Sequence, residues 1–233
     1  MKNPLTYAFI CLTVFLTGLS FSEAKEPYRI AVIDSGFSPV PFDSSAMKLC
    51  KAGHYDFSTR TASVGYDTMY HGSYVTALIN QRAAGKKICF LIYKVFGGKS
   101  GVGDLNTALQ MAHTNGARAV NLSLSFNMYS EEIKKTLQRM TRRGVKVFAA
   151  AGNSKTNMNE KCSRYPACYQ GLNSNFVRVG ALDDDVDVAK YSNYGLKVSV
   201  YKYGRLRNGS RGTSFAAPRA LGDYVRNLKP SLR

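Results

Sequence analysis

The sequence predicts an α/β fold, a three-layer doubly wound and mostly parallel sheet with helices on both faces. Short apolar runs that end in glycine, asparagine or aspartate alternate along the chain with stretches of helical periodicity, as in strand–helix–strand units. The runs are apolar throughout, which is typical of parallel strands buried on both faces. A chain of 233 residues suits one domain of ordinary core size.

Five strands and three helices account for most of this pattern. The predicted strands read YRIAVIDSG, KICFLIYKVF, ARAVNLSLS, GVKVFAAAGNS and FVRVGALD, at residues 28–36, 87–96, 117–125, 144–154 and 176–183. The predicted helices are His71–Asn80, Asp104–Asn115 and Ser130–Arg143. In the third helix, Ser130 can cap the N-terminus, two glutamates follow it, and Ile133, Leu137 and Met140 recur at helical spacing.

Residues 1–24 predict a secretory signal peptide, which leaves residues 25–233 as the mature domain. Lys2 precedes an apolar run from Leu5 to Leu19, and Ser22 and Ala24 are small residues that suit cleavage after Ala24. The run is short for a membrane span, although an uncleaved anchor is the alternative. We therefore expect a secreted or periplasmic protein without a transmembrane segment in the mature chain.

The chain is strongly basic, with a net charge of +17. The signal peptide contains one basic and one acidic residue, so its removal leaves the charge unchanged. Such a charge attracts anionic partners, namely nucleic acid, acidic proteins or an anionic envelope surface. Because the sequence contains no recognisable nucleic-acid-binding motif, we expect no specific nucleic acid, and an anionic envelope surface is the preferred partner. We expect a monomer.

The predicted mature chain keeps an even number of cysteines, which in an exported protein indicates disulfides. They are Cys50, Cys89, Cys162 and Cys168. Cys162 and Cys168 close a short loop and are the easiest pair, which leaves Cys50 and Cys89 for the second bond. Three connectivities are open, and Cys89 as a buried free thiol is the alternative.

Four polar residues lie at the ends of predicted strands or at the starts of predicted helices, positions at which catalytic residues are commonly found. Asp34 ends the strand AVID, His71 opens the helix HGSYVTALI, Asn153 follows the strand KVFAAAG, and Ser214 begins the helix in GTSFAAP. Acyl transfer to a serine needs a base, a group that orients the base, and donors for the developing oxyanion. Taken singly, each residue could equally cap or fill a turn; together they predict catalysis.

Together these segments resemble the subtilisin-like serine proteases. The order Asp, His, Asn, Ser matches that family, as do the motifs VIDSG, HGS, AAGN and GTSFAAP. NLSLS resembles the family's substrate-cleft strand, SGVGD its opposite cleft edge, and YSNYG a segment that precedes the serine. The resemblance covers most of the chain, residues 28–222, and implies a serine-type endopeptidase acting on proteins or peptides.

The resemblance also implies a role for each residue. Ser214 is the nucleophile, His71 the general base and acid, and Asp34 the group that orients His71. Asn153 donates to the oxyanion and Thr213 assists it. His54 and His113 are not assigned to catalysis, since neither opens a helix with the HG pair.

A substrate strand is expected to lie between two edges of the cleft. The resemblance places these edges at Ser100, Gly101 and Val102, and at Ser123, Leu124, Ser125 and Phe126. The family usually has small glycines after the Ser-Leu pair, so Ser125 and Phe126 put a preference for large apolar side chains in doubt. The alternative is that both segments are ordinary loop and strand ends.

Other departures from the family affect cofactors and activity. The sequence leaves no room for the usual pro-domain, and the stretch between His71 and Lys87 is too short for the calcium loop of many bacterial members. No metal and no cofactor is predicted, although the aspartates around Asp184 could bind a hard cation. A catalytically silent peptide- or polyanion-binding protein on the same fold is the alternative function. The basic residues between Lys202 and Arg211 form either a rim that attracts anions or a solvated hairpin.

Overall fold

The computed structural model describes residues 26–39, 47–97, 102–184 and 186–229. The predicted signal peptide and the cleft residues Ser100 and Gly101 lie outside these ranges. The strands are β1 (Tyr28–Asp34), β2 (Tyr55–Asp56), β3 (Ile88–Lys94), β4 (Ala119–Leu122), β5 (Lys146–Ala150), β6 (Phe176–Asp183), β7 (Asp187–Val188) and β8 (Val200–Tyr203). The helices are α1 (His71–Arg82), α2 (Val102–Thr114), α3 (Glu131–Arg142) and α4 (Thr213–Arg226).

The strands form a single mixed sheet in the order β2-β3-β1-β4-β5-β6-β7, with β8 also paired to β6. Only the β6–β7 pair is antiparallel among the described strand pairs. The chain runs from β1 outward to β3 and then crosses back to β4 on the other side of β1. This reversal makes the carboxyl end of β1 a topological switch point, where α/β sheets bind ligands.

Alternate residues of the central strands face two separate apolar cores. One core contains Ile33 and Leu91 with residues of α2 and α3, and the other contains Val32 and Ile92 with residues of α1 and α4. Each large aliphatic side chain buried in this way contributes roughly 1.5–3 kcal/mol relative to exposure. Burial on both faces explains the continuous apolar runs, and the predicted doubly wound α/β class is confirmed.

Helix α3 begins and ends as its sequence predicts. Ser130 caps it, because its Oγ accepts a hydrogen bond from Ile133 N at 3.3 Å. Glu131 and Glu132 lie in the first turn, and Arg139 and Arg142 lie in the last. The acidic side chains are thus at the positive end of the helix dipole and the basic side chains at its negative end, which stabilises the helix.

Three strands were not predicted from the sequence. β2 and β7 have two residues each, too few to show a period. β8 is half-buried throughout and mixes lysine with tyrosine, which gives a weak strand signal. The segment after β8 forms a turn closed by an antiparallel bridge between Arg205 and Arg211, so this basic segment has a hairpin form.

Candidate active site

Asp34, the last residue of β1, pairs with His71, the first residue of α1. His71 Nδ1 lies 2.7 Å from Asp34 Oδ1, and Asp34 is 1% exposed. Because a carboxylate only accepts, Nδ1 carries the hydrogen of this bond, and Nε2 of the neutral ring keeps its lone pair. The ring can therefore take a proton at Nε2.

Neighbouring backbone and hydroxyl groups fix this pair. The Ser35 backbone N–H and Oγ donate to the same Asp34 oxygen at 2.8 and 3.2 Å. Ser35 Oγ in turn accepts from Gly72 N at 2.9 Å. A Cβ at Gly72 would lie 2.5 Å from the Gly36 carbonyl oxygen, so only glycine lets the start of α1 approach β1 this closely.

The environment raises the pKa of His71 above its ordinary value. Burial acts in the opposite direction and lowers the pKa, but the charge of Asp34 and its hydrogen bond outweigh that effect. The charge of Asp67 raises the pKa further. Asp67 is itself buried and accepts from Ser73 N and Oγ at 2.9 and 2.7 Å in the first turn of α1.

Ser214 lies in the first turn of α4, beside the histidine. The rings of His71 and Phe215 are 5.6 Å apart between centroids, so α4 begins next to α1. Pro218 has no N–H to donate to the Ser214 carbonyl, as an α-helix otherwise requires. Ser123 Oγ donates to that carbonyl instead, at 2.7 Å, which ties the end of β4 to the serine.

The Ser214 hydroxyl itself points to the cleft strand. Its Oγ donates to the Ser123 carbonyl at 3.2 Å. Across the part of the chain that the structure describes, it makes no hydrogen bond to His71. Serine hydroxyls rotate readily, and such bonds are often long or misaligned in the absence of substrate. The arrangement therefore brings the serine and the histidine to one place without joining them.

Asn153 follows β5 and is oriented by Thr213. Thr213 N and Oγ1 both donate to Asn153 Oδ1, at 2.8 and 2.9 Å. Oδ1 accepts both bonds, and the Asn153 side chain is exposed. Thr213 Oγ1 also accepts from Gly152 N at 3.1 Å, so its hydroxyl is engaged with Asn153 and its neighbour.

Asn193 also shapes this loop, a residue to which the sequence reasoning assigned no role. Its Oδ1 accepts from Ser154 N and Thr156 N, both at 3.1 Å, and its Nδ2 donates to Ala151 O at 2.8 Å. The sequence shows only an asparagine that ends the tripeptide YSN, which does not by itself identify this role. Asn193 holds the backbone on both sides of Asn153.

The predicted cleft strand continues from β4 along Ser123 to Phe126. Ser125 is exposed, Leu124 is buried, and Phe126 is half-buried. Phe126 pairs with Tyr165 through two backbone hydrogen bonds of 2.9 Å. On the opposite edge, Val102 is the first residue of α2.

Two disulfides are present. Cys50 is bonded to Cys89, and Cys162 to Cys168. The first joins the segment before β2 to β3, and the second closes the short loop between Cys162 and Cys168. The pairing is the one that the short 162–168 loop suggested.

The two remaining histidines lie away from the site. His54 Nε2 donates to Cys50 O at 2.8 Å, and Nδ1 accepts from Ile92 N at 3.1 Å, so it is a structural residue. His113 lies in the last turn of α2, and its Nε2 is 3.1 Å from Arg143 Nη1.

The described residues do not fit a metal site. Among them, no three or more histidine, cysteine or acidic side chains are grouped as metal ligands. Residues 83–87, which join α1 to β3, contain two lysines and no carboxylate. That composition does not suit calcium, which needs several oxygen ligands. Likewise, none of the helices in the described ranges is long and apolar enough to cross a membrane.

Known proteins with similar sequences include a serine proteinase and a subtilisin. The chain is 28% identical over 225 residues to the thermophilic serine proteinase of Bacillus sp. (strain AK1), covering 86% of this chain and 52% of that protein. It is 33% identical over 151 residues to Subtilisin Savinase of Lederbergia lenta, covering 59% and 53%. The chain thus spans about half the length of these relatives.

The fold has matches among solved structures. The structure of a cold adapted subtilisin-like serine proteinase aligns with a TM-score of 0.69 at 22% identity, covering 83% of this chain and 72% of that one. The sequence model of the Subtilase family matches residues 27–222, nearly all of the described chain. The aspartate at a strand end and the histidine and serine at helix starts are consistent with this match. Because the match extends over most of the chain, the chain belongs to the subtilase family.

Proposed function

We propose that this protein is an exported serine endopeptidase that cleaves peptide bonds through an acyl-enzyme on Ser214. The main support is the 2.7 Å contact between His71 and Asp34 beside a serine in the first turn of a helix. The charged carboxylate fixes the ring tautomer and stabilises the imidazolium that forms during the reaction. Serine proteinases among the relatives add to this support.

The residues act in two half-reactions. Ser214 Oγ turns from Ser123 O toward His71 Nε2, gives up its proton and bonds to the substrate carbonyl carbon. His71 then protonates the leaving amine as the C–N bond breaks, which leaves an acyl group on Ser214. A water molecule, deprotonated by His71, attacks the ester, and the Ser214 oxygen recovers the proton on release of the acid.

Two hydrogen-bond donors would stabilise the negative charge that develops on the substrate carbonyl oxygen. Asn153 Nδ2 and the Ser214 backbone N–H at the start of α4 supply them. Thr213 is a positioning residue, since its hydroxyl holds Asn153 by Oδ1. Prearranged donors need little reorganisation as the charge develops, which is why such a site lowers the barrier.

The remaining features concern substrate and location. An extended peptide would add as a strand beside Ser123–Phe126 and across from residues 100–102. Residues 1–24 would direct export and be removed, leaving a secreted or periplasmic domain of residues 25–233. The charge of +17 would hold the enzyme near an anionic envelope surface by salt-sensitive attraction.

Labelling with a fluorophosphonate, which reacts with activated serines, tests the proposal. The wild type should be labelled and should hydrolyse a peptide library, and Ser214→Ala should do neither. Ser210→Ala, an exposed serine of the hairpin after β8, is the matched control and should keep both activities.

The alternative of a silent peptide-binding protein has one observation in its favour, the Ser214 hydroxyl bonded to Ser123 O at 3.2 Å. If that bond persists when peptide binds, the serine is not activated. A wild type that folds by circular dichroism, binds peptides and resists labelling would establish the binding protein and end the enzyme proposal.

A further inference from the structure

Arg164 lies at the edge of the cleft, between the segment that carries Asn153 and the end of the cleft strand. Its Cγ is 3.6 Å from the position a Cβ on Gly152 would occupy. Its Nη1 donates to Asn127 Oδ1 at 2.6 Å. The next residue, Tyr165, pairs with Phe126 through backbone hydrogen bonds. The Arg164 side chain therefore runs from the segment of Gly152, near its Cγ, to Asn127, where its guanidinium lies.

Among the described residues, no carboxylate forms an ion pair with Arg164. Its side-chain partner is the neutral amide of Asn127. A guanidinium has five N–H donors in a planar fork, so several remain for an acidic ligand beyond the single bond to Asn127.

The loop that carries Arg164 is held in place. The Cys162–Cys168 disulfide closes it, Cys168 N donates to Arg164 O at 3.0 Å, and Arg164 N donates to Cys168 Sγ at 3.3 Å. A charged group on a constrained loop loses little freedom when it binds a ligand, which favours affinity and selectivity.

Aromatic side chains occupy the neighbouring surface. The rings of Phe126 and Tyr165 lie 6.4 Å apart, and Tyr165 also packs on Tyr129 and Tyr169 at 5.5 and 4.8 Å. This aromatic cluster packs beside the end of the predicted cleft strand. The guanidinium group of Arg164 is a polar group beside this cluster that could recognise a substrate side chain.

We infer that Arg164 is a specificity-determining residue that selects substrates with an acidic side chain, glutamate or aspartate, immediately before the cleaved bond. The inference rests on the proposed function. The donor at Asn153 would hold the carbonyl of that substrate residue. The substrate side chain would then project toward Gly152 and the cleft strand, where Arg164 lies. Arginine binds carboxylates through two parallel hydrogen bonds. The +17 charge also attracts acidic peptides.

The experiment compares peptides that differ only in glutamate or glutamine before the cleaved bond, near pH 8 and at low salt. Glutamine has the same shape without the charge. Wild-type kcat/KM should favour glutamate by about 10- to 100-fold, the range for hydrogen bonds to charged groups. Arg164→Met should reduce that ratio to about one while still cleaving the glutamine peptide. Arg164→Lys, which keeps the charge and loses the fork, should give an intermediate ratio.

Arg142→Met removes the same charge from an exposed site near the end of α3 and should keep the wild-type ratio. A wild-type ratio near one, or a ratio that survives Arg164→Met, overturns the inference and leaves the proposed function standing. Absence of both peptide cleavage and fluorophosphonate labelling overturns the proposed function, and this inference with it. A wild-type ratio near one overturns the inference even if a variant fails to fold.

Discussion

The two sides of the cleft are built differently. On one side, Asp34 and His71 lie at the ends of a buried strand and a helix, and a 2.7 Å hydrogen bond joins them. On the other, Phe126 and Arg164 lie on connecting segments, half-buried, beside an exposed Ser125. The first side gains its geometry from the sheet, whereas the second gains it from a disulfide and backbone pairing.

Under the proposed function, this difference separates the residues that carry out the chemistry from those that select the substrate. Groups that transfer protons need fixed distances, and rigid elements supply them. Groups that recognise a side chain can change with the loops that carry them. We expect substitutions on the first side to act on turnover with any substrate, and substitutions on the second to act on the ratio between substrates.

The largest effect is expected for Asp34→Asn. The amide keeps the shape but no longer fixes the productive His71 tautomer, so kcat should fall by about 10⁴. Peptide hydrolysis measured beside thermal unfolding separates this loss from misfolding. Asp187→Asn, which changes an exposed aspartate of β7, is the control and should stay near wild type. A loss below tenfold for Asp34→Asn would show that the His71–Asp34 pair does not drive the chemistry.

A smaller loss is expected for Asn153→Ala. Removing one oxyanion donor should lower kcat by roughly 10²–10³ with little change in KM. Thr213→Val, which removes the hydroxyl that holds Asn153, should lower kcat less, and Thr213→Ser should restore it. Steady-state kinetics on one peptide provide the measurement. Equal losses in kcat for every substrate would place Asn153 with the chemical side of the cleft, whereas substrate-dependent losses would move it to the selective side.

The smallest effect is a shift in pH dependence. The reaction needs neutral His71, so kcat/KM should fall as the pH drops through the His71 pKa, which lies above its ordinary value. Asp67→Asn removes a charge that raises this pKa and should move the acid limb to lower pH. A pH profile of kcat/KM measures both, and an unmoved limb in Asp67→Asn would contradict the assignment.

The same shift has a consequence for folding. A raised pKa means that folded His71 binds its proton more tightly than the unfolded chain. Its contribution to stability is therefore fully present below about pH 6.5, the ordinary histidine value, and is lost as the pH rises through the folded pKa. Comparing the unfolding free energy of the wild type and His71→Gln across this range should show the difference shrinking with pH.

Much of this molecule could be predicted from local patterns. Continuous apolar runs such as ICFLIYK indicate strands buried on both faces, and Ser130 with two glutamates marks the start of α3. The edge strand β2 and the outer strand β7 could not be predicted, because two residues carry no period. The supporting role of Asn193 also stayed hidden, since its partners lie 37 to 42 residues away in the chain.

By itself, the sequence determined the fold class and the motifs around Asp34, His71 and Ser214. The reason is that strand ends and helix starts depend on residues that are close together in the chain. The tertiary structure alone decided which groups meet. It brought Ser123 Oγ to the Ser214 carbonyl that Pro218 leaves without a helical donor, and it set Arg164 between Gly152 and Asn127. Such contacts depend on how separate segments pack, and packing is a property of the whole chain.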